Sequence, residues 1–259
     1  MSKSTPWAAG RYESVAERIA AIAVQTVDAA DRRRPVRGAA LLDLASGTGS
    51  AAIDAASRGA VVTAVDLTAE LLEQAAEKAR AAGQSVTWVT ADAADTGLPA
   101  AAFDAVVSNM GIIFVDPDRQ VAELARLLKP AGMLAFSSWV RDTNNPFFDP
   151  VIEVLGAPPA TGFSPDEWGD PDICTRRLAA DFTDVDVQRG RFTWEYPSLE
   201  AALHFLTDES PMHVNVFAHV EDAQRDRLID AFRDALTPHR DADGVRFDAP
   251  YVVVTAERR

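Results

Sequence analysis

One cysteine, four histidines and no uninterrupted apolar run near the ~18 residues of a membrane span set the first limits on this 259-residue chain. The lone Cys174 rules out an intramolecular disulfide and a multi-cysteine zinc site, and it suits a reducing compartment. The opening MSKSTPWAAGRYE lacks an apolar core of signal-peptide length, so the expected location is cytoplasmic, with no membrane partner. Basic residues are also scarce. With 25 Lys and Arg against 39 Asp and Glu, the net charge is −14, which repels a nucleic-acid backbone or an anionic lipid surface on average. The one dense basic group, Arg32, Arg33, Arg34 and Arg37 around Pro35, reads as a solvated helix end.

What is present is an ordinary globular balance, 47% hydrophobic and 25% charged residues. Val15, Ile19, Ile22, Ala23 and Val27 recur at helical spacing, so a helix is expected over Tyr12 to Val27, ending before Pro35. From Ala39 short β-rich runs alternate with Ala/Leu/Glu-rich ones: AALLDLA, SAAIDAASRG, VVTAVDL, TAELLEQAAEKARAAG, SVTWVTAD, FDAVVSNM, DRQVAELARLLKP and GMLAFSSWV. Thr68 is placed as an N-cap before AELLEQAAEKARAAG, and Gly83 stops that helix. Strands alternating with such helices pair in parallel through right-handed crossovers and form a doubly wound α/β sheet that binds ligands beyond its carboxyl ends. Past Trp139, Pro146, Pro150, Pro158, Pro159, Pro165 and Pro171 break the pattern into a lid-like cap. Order returns with a strand over Asp184 to Tyr196, helices over Ser198 to Phe205 and Asp222 to Leu236, and a last strand over Val245 to Glu257.

The stretch Leu41-Leu42-Asp43-Leu44-Ala45-Ser46-Gly47-Thr48-Gly49-Ser50 is a strand entering a glycine turn and then a helix, a geometry that brings backbone close to a nucleotide. Gly47-x-Gly49-x-x-Ala52 alone also satisfies a dinucleotide fingerprint. Three acids choose between a nicotinamide and an S-adenosylmethionine site. Asp43, inside the first strand's carboxyl end, suits a ligand ammonium and would repel a pyrophosphate. Asp66, ending the second strand, can accept from both ribose hydroxyls, a feature that NAD-binding proteins share. Asp92, in Thr90-Ala91-Asp92-Ala93, is placed to accept from an adenine amino group. Singly, each aspartate is as readily a helix cap or turn former.

On these residues the sequence resembles the class I S-adenosylmethionine-dependent methyltransferases over roughly Gly38 to Val140, with Leu41 to Gly49 as their first motif. Leu98-Pro99, Phe103-Asp104, Ala122 to Gly132 and Trp139 stand in matching order, and the chain is similar to the small-molecule branch that includes ubiquinone and menaquinone biosynthesis methyltransferases. The resemblance implies a Rossmann-like, seven-stranded sheet, mostly parallel with an antiparallel C-terminal strand. It would form one domain over 1–259, with a helical cover (1–37), a cofactor core (38–140), a cap between strands five and six (141–182) and a substrate side (183–259). It further implies that Ala45, Gly47 and Gly49 line the methionine portion of S-adenosylmethionine, that Asp66 and Leu67 hold the ribose and adenine edge, and that Asp92 and Ala93 read the adenine. Ser108, Asn109 and Met110 would approach the methionyl amino group and sulfonium, while Trp7, Gly10 and Tyr12 resemble a segment closing over the cofactor. Ala131 departs from the pattern, standing where a second glycine is usual.

The expected reaction is methyl transfer to O, N or C of a small metabolite, with S-adenosylhomocysteine released and homodimerisation left open. Ser108-Asn109-Met110-Gly111 contains neither an Asn-Pro-Pro-aromatic motif nor an acid pair, so metal-independent chemistry by alignment is expected. Where a base is used, His204 and His213, flanking FLTDESPM, are the candidates, each weighed against a surface or structural role. The alternatives are a non-catalytic S-adenosylmethionine-binding module and an NAD(P)-dependent oxidoreductase.

Overall fold

Leu41, Leu42 and Leu44 have no solvent exposure in the computed structural model, which describes residues 5–141, 144–156 and 162–259, and the strand they form is accordingly central. That strand, β1 (Ala40–Leu44), is followed by β2 (Val61–Asp66), β3 (Val86–Thr90), β4 (Phe103–Asn109), β5 (Leu128–Trp139), β6 (Phe182–Tyr196), β7 (Arg240–Asp241) and β8 (Gly244–Arg258). The order is β3-β2-β1-β4-β5-β8-β6, with β7 paired to β8. The first five strands run parallel and β8 is antiparallel to β5. The sheet thus has eight strands where seven were expected. The addition is β7, a two-residue hairpin arm in which Arg240 pairs Val245 and Asp241 pairs Gly244, too short for hydrophobic alternation to reveal. Because the chain runs outward from β1 to β3 and then returns to β4 on the other side of β1, the carboxyl ends of β1 and β4 flank a topological switch point.

The helices are α1 (Tyr12–Arg18), α2 (Ala20–Arg33), α3 (Ser50–Ser57), α4 (Ala69–Ala81), α5 (Pro117–Leu127), α6 (Asp149–Leu155), α7 (Pro171–Leu178), α8 (Leu199–His204), α9 (Pro211–Ala218) and α10 (Asp222–Leu236). The single N-terminal helix expected from periodicity is interrupted at Ile19, which caps α2 without a side-chain bond. Arg33, expected as a solvated helix end, instead donates to the Asp184 carbonyl and the Thr255 hydroxyl. None of the described helices is long and apolar enough to cross a membrane.

Two compact units divide the chain. The sheet unit comprises Ala16–Val140, Phe163–Gly190 and Tyr251–Arg259. One face of its sheet packs Leu41, Val62, Ala64, Ala105, Val107, Met133 and Ala135 against Ala23, Val27 and Ala30 of α2 and Ala51, Ala52 and Ala55 of α3. Small residues on both sides let these helices approach closely. The same period-two alternation places Asp43, Asp66, Asn109 and Ser137 on that face, one step beyond its apolar row, at the carboxyl ends of β1, β2, β4 and β5. Cys174 lies in α7, fully buried, and desolvation pushes its thiol up to about 12.

The second unit comprises Met1–Val15, Arg141–Gly162 and Arg191–Pro250. Phe147 is its hub, with Phe247 at 4.8 Å edge-on, Trp194 at 5.3 Å and Phe205 stacked at 5.8 Å between ring centroids. These rings are buried and supply the unit's core. Of the cap expected over 141–182, positions 142–143 and 157–161, including Pro158 and Pro159, lie outside the described residues.

Candidate active site

In the sheet unit, Asp43 shares the face covered by α3, and its Oδ2 accepts from the Ala52 backbone N–H at 2.8 Å, satisfying a donor in the first turn of α3. Its Oδ1 is buried with no partner among the described residues. Desolvation, opposed by the Ala52 bond and reinforced by the nearby Asp66 charge, pushes this carboxyl up to about 7. Asp66 accepts from the Gly47 N–H at 2.8 Å and the Thr68 N–H at 2.9 Å, and burial also raises its pKa. Thr68 is the N-cap of α4 as expected, and its side chain, which makes no cap bond, bonds Asp66. Asp92 takes the Ala94 N–H at 2.9 Å in an Asx turn and pairs with Arg119 at 3.4 Å.

All three acids therefore bond backbone N–H groups, Asp66 and Asp92 in local turns and Asp43 at the start of α3. A carboxylate offers about four acceptor sites. Among the described residues Asp43 keeps one oxygen wholly unbonded and Asp92 has one bond per oxygen, whereas Asp66, already taking bonds from Gly47 and from both the N–H and side chain of Thr68, is the most nearly filled of the three. Gly49, in the left-handed region at φ +79°, begins α3, and a Cβ there would come within 2.7 Å of the Trp88 ring. The hydroxyl of Ser46, between Ala45 and Gly47, is buried with no partner among the described residues. Beside Asp66, Leu67 is 57% exposed, unusual for so large an apolar side chain on an otherwise buried strand end. Ala93, next to Asp92, is buried.

Across the switch point, Ser108 is fully buried and its hydroxyl accepts from the Ile112 N–H, while Met110 is buried with φ +56°. Asn109 lies opposite Ser137 in register, and the Ser137 hydroxyl donates to Asn109 Oδ1 at 2.8 Å while accepting from the Met110 N–H at 3.0 Å. Ser137 was missed in the sequence because only the β4–β5 register reveals its place beside Asn109. Gln120 of α5, whose Nε2 donates to the Ala93 carbonyl at 3.2 Å, was missed too, although a polar residue on the buried stripe of α5 is a readable signal.

Residues 42–136, which run from within β1 to within β5 and include all of these groups but Ser137, match the family described as Methyltransferase domain. An uncharacterised protein of Mycobacterium tuberculosis is 32% identical over 269 aligned positions, covering 98% of this chain and 93% of that protein. The chain belongs to the S-adenosylmethionine-dependent methyltransferases. A demethylmenaquinone methyltransferase of Clavibacter sepedonicus is 40% identical over 102 residues, 39% of this methyltransferase and 41% of that one. The phosphoethanolamine N-methyltransferase 2 of Haemonchus contortus, solved with phosphomonomethylethanolamine and S-adenosylhomocysteine, shares the fold at TM-score 0.55 and 21% identity, covering 90% of this chain and 52% of that one.

The remaining expected residues of the methyltransferase lie in its second unit. Trp7 and Tyr12 are half-buried and meet edge-on at 6.4 Å. Between them, Gly10 and Arg11 dock on the π-helical turn Phe205–Glu209: the Arg11 N–H donates to the Glu209 carbonyl at 2.8 Å, and a Cβ on Gly10 would lie 2.5 Å from that oxygen. His204 is exposed, its Nδ1 3.1 Å from Asp208 Oδ2. His213 is more tightly held. Its Nε2 is 2.7 Å from the Phe147 carbonyl, so it carries the proton, which leaves Nδ1 to accept from the Ser210 hydroxyl at 2.7 Å. Desolvation lowers the pKa of His213, consistent with a neutral ring whose two nitrogens are both engaged.

Proposed function

We propose that this enzyme methylates O, N or C of a small metabolite, with the donor held at the carboxyl ends of β1 to β4. The observation that carries this reading is the pair of buried acceptors without partners, Asp43 Oδ1 and Ser46 Oγ, at the turn into α3. Buried polar atoms are rarely left unmet, and a zwitterionic ligand would satisfy them. In this reading Asp43 and Ser46 face the methionyl end beside Ala45, Gly47 and Gly49. Asp66 meets the ribose hydroxyls, exposed Leu67 covers one face of the purine, and Asp92 with Ala93 meets the base edge. Asn109 and Met110, held by Ser137, belong to the sulfonium end. Bound S-adenosylmethionine supplies a methyl group on a cationic sulfur.

The protein's task is then alignment, with no proton transfer required of a particular histidine. His213, bonded at both nitrogens, serves the aromatic core of its unit in this reading. A net charge of −14 disfavours polyanionic acceptors and supports a small one. The resemblance of the 102-residue segment to a demethylmenaquinone methyltransferase makes prenylated quinols one acceptor class to assay, beside phenols and amines.

Isothermal titration with S-adenosylhomocysteine tests the donor site. Asp66→Ala is expected to weaken binding by about 1–3 kcal/mol, the value of hydrogen bonds to a buried charged group. Unchanged affinity would remove Asp66 from the ribose. Transfer of labelled methyl from the donor to members of the acceptor panel tests the reaction, and methylation of nucleic acid in preference to every small molecule would refute the small-metabolite reading.

A further inference from the structure

Helix α5 is fastened to the segment after β3 by a row of polar contacts, each joining positions 27 or 28 residues apart. Arg119 reaches Asp92, Gln120 Nε2 donates to the Ala93 carbonyl at 3.2 Å, Glu123 accepts from both the N–H and hydroxyl of Thr96 at 2.9 and 2.6 Å, and Arg126 donates to the Leu98 carbonyl at 2.7 Å. Three of these α5 residues carry charge. Gln120 is different: it is neutral and fully buried, and its Oε1 has no partner among the described residues. A buried amide oxygen left without a partner costs stability, so what this side chain contributes is the one bond that it makes.

That bond acts on one peptide. The Ala93–Ala94 amide is held at both ends, its carbonyl by Gln120 Nε2 and its N–H by Asp92 Oδ1. The preceding amide, Asp92–Ala93, has its carbonyl bonded to the Asp95 N–H at 3.0 Å, while its own N–H, on Ala93, makes no hydrogen bond among the described residues. One fixed backbone donor thus stands beside one carboxylate acceptor. This pairing complements adenine, whose N1 accepts and whose 6-amino group donates. A 6-oxopurine reverses both roles, with a proton on N1 and an acceptor at position 6, and it would leave both protein groups unmatched.

We propose that Gln120 is a positioning residue which sets the preference of the donor site for adenine over a 6-oxopurine, by fixing the peptide that aims the Ala93 N–H. This inference rests on the reading that Asp92 and Ala93 meet the base edge. The physical reason is preorganisation: a donor held in place before binding discriminates, whereas a mobile one rotates away from the wrong base with little penalty.

The test compares dissociation constants for S-adenosylhomocysteine and S-inosylhomocysteine, which differ only at the base, in the full chain and two variants. The parent protein is expected to prefer the adenosyl ligand by about tenfold or more, since a site built to hydrogen-bond a ligand rejects the mismatched analogue. Gln120→Met keeps side-chain length without the donor, and is expected to erase most of that preference while changing affinity for the inosyl ligand by no more than about twofold. Gln120→Glu supplies a second reading. Protonated at pH 5, it can donate to the Ala93 carbonyl and retain selectivity; ionised at pH 8, it repels that carbonyl and loses selectivity. This ratio also carries the test if Gln120→Met fails to fold. An adenosyl-to-inosyl ratio that stays at the parent value in Gln120→Met, or affinities for both ligands that fall together, would overturn the role of Gln120. No preference in the parent protein would overturn the base-edge reading beneath it.

Discussion

The Cβ that Gly111 lacks would stand 2.7 Å from the Cβ of Ala45 and 2.5 Å from its carbonyl oxygen. The turn after β4 therefore lies directly on the turn after β1, with no room for a side chain between the two ends that flank the switch point. Ala45 itself is in the left-handed region at φ +55°, where a side chain is strained. Gly111→Ala forces backbone apart and is expected to destabilise by about 1–3 kcal/mol, as overpacking usually does, and to weaken S-adenosylhomocysteine binding. Removing the Ala45 Cβ relieves part of the clash, so the Gly111→Ala/Ala45→Gly pair should lose less than the two single changes predict. Thermal melts and titration of all four proteins close this double-mutant cycle; strict additivity would mean that the two turns do not bear on one another.

Much of this arrangement was legible in the sequence because period-two alternation fixes which residues share a face. Reading outward from Leu41, Val62 and Val107 places Asp43, Asp66 and Asn109 together without coordinates. The same reasoning could not show that each acid would also bond a backbone N–H, since turn formation and ligand contact draw on the same lone pairs. The place of Ser137 beside Asn109 needed strand register, which no local pattern encodes, and the two residues of β7 were too few to show alternation. Thr68 stood at the expected cap position, but Asp66 competed for its hydroxyl and won.

Ala131 shows how a departure from a family pattern becomes a measurable strain. It sits at φ +59° within β5, a conformation that costs a non-glycine residue roughly 1–2 kcal/mol. Ala131→Gly releases that strain, offset by about 0.4–1 kcal/mol of extra unfolded-state entropy. The expected result is a slightly higher melting temperature with donor affinity unchanged. A fall in melting temperature would mean that the alanine methyl contributes packing that outweighs the strain.

Cys174 offers a check on the rigidity of the sheet unit. Its thiol is buried and raised to about 12, so almost no thiolate exists at pH 8. A thiol reagent is expected to label the protein only as fast as α7 opens, with full labelling in denaturant. Rapid stoichiometric labelling of the native chain would show that α7 is open in solution.

Glu123 works in the opposite direction from Asp43 and Asp66. Bonds from Arg126 and Thr96, working against desolvation, hold its carboxyl down to about 2, below its ordinary value of 4.5. An acid with a depressed pKa stabilises the fold above its unfolded value and loses that contribution as pH falls toward 2. Glu123→Gln is therefore expected to destabilise by about 1–3 kcal/mol at pH 7, with the deficit shrinking between pH 4.5 and 2. A pH-independent deficit would assign the effect to packing.

Asp43 carries the strongest pH dependence at the candidate site. Its pKa is about 7 in the folded chain against 3.8 ordinarily, so the native state binds this proton more tightly than the unfolded state does. The stabilisation is complete below 3.8 and is lost as pH rises through 7, at about 1.4 kcal/mol for each unit of separation. Asp43→Asn mimics the protonated acid. It should match the parent protein's melting temperature near pH 5 and exceed it at pH 8, because the parent must then bury an uncompensated charge. A ligand ammonium supplies the missing compensation, so S-adenosylhomocysteine should raise the parent melting temperature more at pH 8 than at pH 5, and do so less steeply in Asp43→Asn. If the variant and parent melt with the same pH profile, Asp43 does not titrate in this range; if their profiles differ but the ligand leaves the difference intact, the carboxylate titrates without meeting the ammonium.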